Sequence, residues 1–359
     1  MAPAAPSLSY RDITGPLNAL RDAMSLHNQG RLAEAEQRYN LVLKADDRNY
    51  EALYRLGLIR LQQARFKSAV DLLRRALKVE HQSAEAQQHL AVALSGLDRH
   101  QEAIRLYKKT LEMKPDYAEA HNNLGHSLQV LGRVDEAVAH YEKALTIKPD
   151  YAEARNNLGV ALQTLGRPVD AITHYETALA LRPNYVEACK NLGNVMAALN
   201  RQQEATAYFE RALALRPDDA EAHVGFGNTL LKLDLPEDAV AHFQKVLALN
   251  PSNIDARNGL GAALHMLGKS EDALAQHRAV LAIKPRHVEA HSMLGEVLLA
   301  LGRLEEANAA FEKAVALSRR KSGFYWNLAN SNRASESTHG QQYELARVID
   351  RTCLSPSPH

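Results

Sequence analysis

The chain has 359 residues, 46% hydrophobic and 24% charged, with a formal charge of +1 from 43 basic and 42 acidic side chains. That balance excludes wholesale disorder, and it supplies no large positive field to gather nucleic acid or an anionic membrane. Two cysteines in dissimilar contexts, Cys189 and Cys353, exclude a disulfide framework and a cysteine-based metal centre, and they point to a reducing, cytoplasmic compartment.

In chain order, residues 1–15 come first, reading MAPAAPSLSYRDITG. They lack the basic and apolar regions of a secretory signal and read as a short flexible tail. No later stretch approaches the roughly 18 apolar residues of a membrane span.

From Pro16 the chain repeats itself. The stretch KPDYAEAHNNLGHSLQVLGR, residues 114–133, returns 34 residues later as KPDYAEARNNLGVALQTLGR, with 16 of 20 letters unchanged. The same 34-residue step places an alanine at Ala35, Ala69, Ala103, Ala137, Ala171, Ala205, Ala239, Ala273 and Ala307. It also places prolines from Pro115 to Pro285 and a Leu-Gly pair at most units, for example Leu124-Gly125 and Leu158-Gly159. Nine units fit without a gap over residues 16–321. A fixed period of this size marks a solenoid.

Each unit is predicted to be two helices. In the fourth unit, Asp116 and Glu119 form an aspartate version of the capping box, and Ala120, Leu124, Leu128 and Leu131 make one apolar stripe. Gly132 is predicted to end that helix in the left-handed conformation. Ala137, Tyr141, Ala144 and Leu145 form the second stripe, and Pro149 stops it. Small residues at Gly125 and Ala137 let the helices approach, while Tyr141 and its equivalents fill the space between units. One unit cannot bury both stripes, so the core is supplied by stacking.

After Lys321 the pattern half survives. Residues 322–359 read as a partial tenth repeat or capping helices followed by a disordered tail. A linker to a further domain is the alternative.

The period, the Leu-Gly pair, the repeated alanines, the aromatic and the proline together resemble the tetratricopeptide repeat. The resemblance implies an all-α fold, a right-handed α-solenoid of helix-turn-helix repeats, and a role in protein–protein interaction. The open ends of such a stack also offer surfaces for self-association.

Residues that would carry chemistry are few. Of 16 histidines, His140, His174 and His242 share one place in the repeat. Helix axes lie about 8–10 Å apart, which places histidines of neighbouring units poorly for one ion needing bonds of about 2 Å. The pair His287 and His291 lacks the glutamate of a zinc-protease motif. No metal site, no cofactor and no catalysis are predicted. A basic row that includes Arg31, Arg99, Arg133, Arg201 and Arg303 has an acid three residues on in each of those units, the spacing of a helical ion pair rather than a phosphate track.

The first helix of each unit is expected to line the concave face, as the family resemblance implies. There the chain carries Asn122, Asn123, Asn156, Asn157, Lys190, Asn191, Asn194 and Asn228 as candidate peptide-binding residues. Asparagine is a modest helix former, and its amide both donates and accepts, so it can grip a peptide backbone. Stacking does not by itself demand the repeated Asn122-Asn123 pair. Asn123, Asn157 and Asn191 resemble the asparagine ladder of O-linked N-acetylglucosamine transferases, although Gly225, Gly259 and Met293 interrupt it. Lys190 and Asn194 resemble the first half of the carboxylate clamp of chaperone-binding tetratricopeptide domains, and Gly225, Asp255 and Gly259 stand where the second half is needed. The chain is therefore expected to be a non-catalytic scaffold for an extended segment of a partner protein. The alternative is the recognition arm of a glycosyl- or sulfotransferase whose catalytic domain lies outside this chain.

Overall fold

The computed structural model describes residues 10–318, with side chains from residue 18 onward. The expectations for residues 1–9 and 322–359 lie outside the described residues. Among the described residues every regular element is an α-helix. The chain divides into two compact units, residues 1–183 and 184–359.

In the first unit the helices pair as α1 (Tyr10–Asn28) with α2 (Leu32–Ala45), α3 (Tyr50–Gln62) with α4 (Phe66–Val79), and α5 (Ala84–Ser95) with α6 (His100–Met113). Then come α7 (Ala118–Val130) with α8 (Val134–Ile147) and α9 (Ala152–Thr164) with α10 (Pro168–Leu181). In the second unit α11 (Val186–Ala198) pairs with α12 (Gln202–Leu215), α13 (Ala220–Lys232) with α14 (Pro236–Leu249), α15 (Ile254–Met266) with α16 (Ser270–Ile283), and α17 (Val288–Ala300) with α18 (Leu304–Leu317). Within each unit a second helix packs on its own first helix and on the first helix of the next pair. The opening helix begins at Tyr10, so residues 10–15 of the segment expected as a tail are helical.

The turn inside each pair is set by one backbone position. Gly30, Gly132, Gly166, Gly268 and Gly302 all have φ between 72° and 76°. The same register holds Ala64, Asp98, Asn200 and Asp234, at φ of 53° to 60°. In the fourth pair Arg133 N–H donates to Leu128 C=O at 2.9 Å and Gly132 N–H to Gln129 C=O at 2.9 Å, the Schellman closure predicted for Gly132. Only this left-handed residue lets the chain reverse within three positions.

Helix starts differ from the expectation. The N-cap of α7 is Tyr117, not Asp116, and it makes no side-chain cap bond. Asp116 falls one residue too early to reach the orphan amides. In the same register Asn49, Ser83, Asp219 and Asn253 do accept from the amide three residues on. At Tyr117 and Tyr151 the ring instead lies beneath the ammonium of Lys114 or Lys148, 4.8 and 4.9 Å from the centroid.

From the fourth pair on, the core of each pair is a ring laid on bare backbone, whereas in the second pair Gly57 lies against Leu73. A Cβ added at Gly125 would sit 2.8 Å from Tyr141 Cε1, inside contact distance. Gly193 faces Phe209 and Gly295 faces Phe311 in the same way. The rings are fully buried, so each tyrosine hydroxyl needs a partner. Tyr141 donates to Gln129 Oε1 at 2.9 Å, and Tyr175 donates to Gln163. Ser95 holds the same place relative to Tyr107. Each partner lies twelve residues upstream. Where the ring is phenylalanine, at Phe209, Phe243 and Phe311, that upstream residue is Ala197, Leu231 or Leu299.

Two stability changes follow. Ala64→Gly removes a left-handed penalty of about 1 kcal/mol and is expected to raise the midpoint of urea unfolding. Tyr141→Phe leaves Gln129 without its donor and should cost about 1 kcal/mol. Adding Gln129→Leu should recover most of that loss, which a double-mutant cycle by urea denaturation would measure.

Candidate functional site

The first-helix face is where a partner would find usable surface. Asn122 and Asn156 do not supply it, because their side chains are 3% and 5% exposed. Asn157 Nδ2 donates to Asn122 Oδ1 at 3.0 Å, and Asn122 Nδ2 donates to Asn123 Oδ1 at 3.4 Å. The amides thus form a chain from α9 to α7. The same two repeat positions meet in Tyr54 and His89, 3.2 Å apart, and in Asn258 and Met293, with the amide 3.2 Å from the sulfur. Contrary to the sequence expectation, stacking does use this asparagine: it joins consecutive first helices.

The remaining candidates separate by exposure. Asn123 and Asn157 are half-buried. Lys190 is buried, with Nζ 2.7 Å from Glu221 and 3.3 Å from Asp219. Burial works against its charge, but the two carboxylates outweigh burial and hold its pKa above the ordinary lysine range. Its ammonium is therefore already committed and is no clamp for a foreign carboxylate. Asn191 is half-buried and engaged within the protein. Asn194 and Asn228 are exposed. Gly225 interrupts the asparagine register for a steric reason, since a Cβ there would lie 2.7 Å from the Phe209 ring.

The open surface follows a neighbouring register, three residues beyond Asn123. In the first unit a hollow of about 430 Å³ is lined by His126, Gln129, Val130, Asn157, Val160 and Thr164, from α7 and α9. Gln129 Oε1 is taken by Tyr141, and Thr164 Oγ1 donates to Val160 C=O at 2.9 Å. Burial holds the His126 pKa below its ordinary value, and the nearby His100 lowers it further, so His126 is neutral at pH 7. Val130 is 54% exposed. The hollow therefore offers apolar valines beside the Asn157 amide and a neutral imidazole. In the second unit Asn194 and Asn228 hold the register of His126. Sequence reasoning missed Val130, Val160 and Thr164 because attention followed the repeated asparagines; the signal was the solvent-facing column at 126 and 160.

Elsewhere many polar side chains are engaged with one another. Arg133 makes two bonds to Glu136, at 2.6 and 2.7 Å, and Arg99, Arg201 and Arg303 do the same with their acids. His140 pairs inside its own unit: Nδ1 lies 3.0 Å from Nδ1 of His121, whose Nε2 lies 3.1 Å from Pro115 C=O. His223 and His242 repeat the pair at 2.7 Å, with Nε2 of His223 2.9 Å from Pro217 C=O. The carbonyl takes the Nε2–H of the inner histidine, so its Nδ1 accepts from the outer ring. Among the described residues no group of three or more histidine, cysteine, aspartate or glutamate side chains is arranged to hold a metal ion. None of their helices is long and apolar enough to cross a membrane.

This geometry of ring on glycine, left-handed turn and 34-residue register is that of the tetratricopeptide repeat. Tetratricopeptide-repeat models match residues 116–184 and 150–218, and residues 267–323; a further TPR-repeat model matches 96–132 and 237–268. A model described as anaphase-promoting complex, cyclosome, subunit 3 matches residues 28–110. None of the four describes a glycosyl- or sulfotransferase. The chain carries tetratricopeptide repeats over most of its described length. Its fold is similar to that in the crystal structure of the APC/C hetero-tetramer Cut9-Hcn1, with 17% identity and a TM-score of 0.62 over 83% of this chain and 59% of that chain. It is also similar to a tetratricopeptide repeat protein from Parabacteroides merdae, with 20% identity and a TM-score of 0.56 over 70% of this chain and 99% of that one. Pseudomonas aeruginosa pilF gives 22% identity and a TM-score of 0.52 over 59% of this chain and 96% of that one. At these identities the likeness is one of fold. No curated protein matches the chain in sequence.

The buried histidines make stability depend on pH. Burial is the first cause holding His89, His121, His140, His174, His242 and His277 below the ordinary value, with His140 and His277 down to about 4. The unfolded chain therefore binds protons first, so this stability is full above pH 6.5 and is lost as pH falls toward 4. His277 occupies the register filled elsewhere by Phe243 and Phe311. His277→Phe is expected to flatten the fall in Tm between pH 7.5 and pH 5, as scanning calorimetry would report.

Proposed function

We propose that the chain is a non-catalytic interaction scaffold that binds an extended peptide along the first-helix face. In the first unit the segment lies over α7 and α9, and the exposed Asn194 and Asn228 give the second unit a like surface. The observation that carries this reading is the hollow lined by His126, Val130, Asn157 and Val160. Its apolar floor takes a side chain, and the Asn157 amide is set to meet a peptide group. An extended chain advances about 3.3 Å per residue, so first helices about 10 Å apart meet it every third residue.

The reading is tested with a displayed random-peptide library selected on the whole chain. Enriched peptides should bind with a Kd on the order of micromolar, and Val160→Glu should weaken them about tenfold or more with Tm unchanged. Asn122→Ala serves as the contrast, lowering Tm through the lost inter-helix bond. Peptides that bind the Val160→Glu variant as tightly as the parent would show that the face is wrongly assigned.

A further inference from the structure

The last described pair breaks a pattern that two earlier pairs keep. In the fourth and seventh pairs an inner histidine of the first helix, His121 or His223, meets an outer histidine of the second helix, His140 or His242. His291 holds the inner place in α17, and its Nε2 lies 2.9 Å from Pro285 C=O, as in the other two. The outer place in α18 is Ala310. His291 is 7% exposed, and its Nδ1 is buried without a hydrogen-bond partner.

Where the outer ring would stand there is a cavity of about 670 Å³, lined by both His291 and Ala310. Leu281, Leu294 and Leu298 make it apolar, and three cations, Arg278, Arg286 and Lys313, and one acid, Glu306, also line it. Arg278 lies 3.5 Å from Glu306, whereas Arg286 and Lys313 have no ion pair among the described residues. The volume lies within the range of small-molecule sites.

We propose that this cavity binds a small aromatic acid whose ring carries an N–H or O–H donor. Each part of the ligand answers a feature of the wall. Pro285 takes the Nε2–H of His291, which leaves Nδ1 to act as an acceptor, and a buried acceptor calls for a donor. In two other pairs that donor is supplied by a planar ring, from His140 or His242. The leucines favour a flat apolar body over a sugar or a nucleotide. Arg286 and Lys313 favour a carboxylate at the mouth. The site lies on the second-helix side and is independent of the peptide-binding reading.

The probe is indole-3-acetate, titrated calorimetrically into the whole chain. One saturable site is expected, with a Kd on the order of 100 µM for a ligand of this size. Two analogues test the contacts: 1-methylindole-3-acetate removes the donor and indole-3-acetamide removes the charge, and each should bind at least about fivefold more weakly. Ala310→His rebuilds the pair found in the other units, so it should abolish binding without lowering Tm. Lys313→Gln should weaken the acid but not the amide. Absence of saturation up to about 5 mM, equal binding of the methylated analogue, or binding that survives Ala310→His would overturn the assignment.

Discussion

From the fourth pair on, each pair depends on an aromatic ring lying against helix backbone that has no side chain at that point. Gly125 under Tyr141 and Gly193 under Phe209 bring two helices closer than any Cβ would permit. The close approach places the neighbouring alanine, Ala137 or Ala205, fully inside, and only small residues fit there. The ring then reaches past its own pair: Phe209 also bars a side chain at Gly225 of the following first helix. One contact thus fixes the spacing within a pair and constrains the residue allowed on the next one.

The repeated skeleton was legible because it is written in steric terms. A ring needs a glycine, a reversal needs a left-handed residue, and a 34-residue step repeats both. The helix starts were less legible, since Asp116 suits a cap in any sequence window and only the fold shows that it stands one place early. The turn register tolerated Ala64 and Asp98 without a glycine, so glycine alone underreported it. The asparagines misled for a different reason. A polar residue in mid-helix signals either a ligand or a buried partner, and the partner of Asn122 lies 35 residues away. Lys190 misled likewise, since its neutralising Asp219 and Glu221 belong to the next pair.

The candidate surface emerges once the structural polar groups are set aside. His126, Val130 and Val160 line open space, Asn122 serves the stack, and Asn157 does both, since it bonds Asn122 and borders the hollow. Polar residues in these repeats therefore do two jobs from adjacent positions, and a shift of one residue along the helix exchanges one job for the other. The inner histidines follow the same logic. Their Nε2–H groups are anchored on the turn carbonyl, and what varies is the group offered to Nδ1.

The twelve-residue link between each buried hydroxyl and its acceptor bears on how such a chain grows. Tyr141 and Gln129 sit in one pair, as do Tyr175 and Gln163, so a duplication of the gene segment copies ring and acceptor together. The Asn122–Asn157 bond crosses from one pair to the next, so a copied or transplanted pair must meet a compatible neighbour at its border. The near-identity of residues 114–133 and 148–167 is then what a recent tandem duplication leaves behind. Adjacent sister copies satisfy that border condition at once, and drift can later replace the bond, as with Tyr54 and His89.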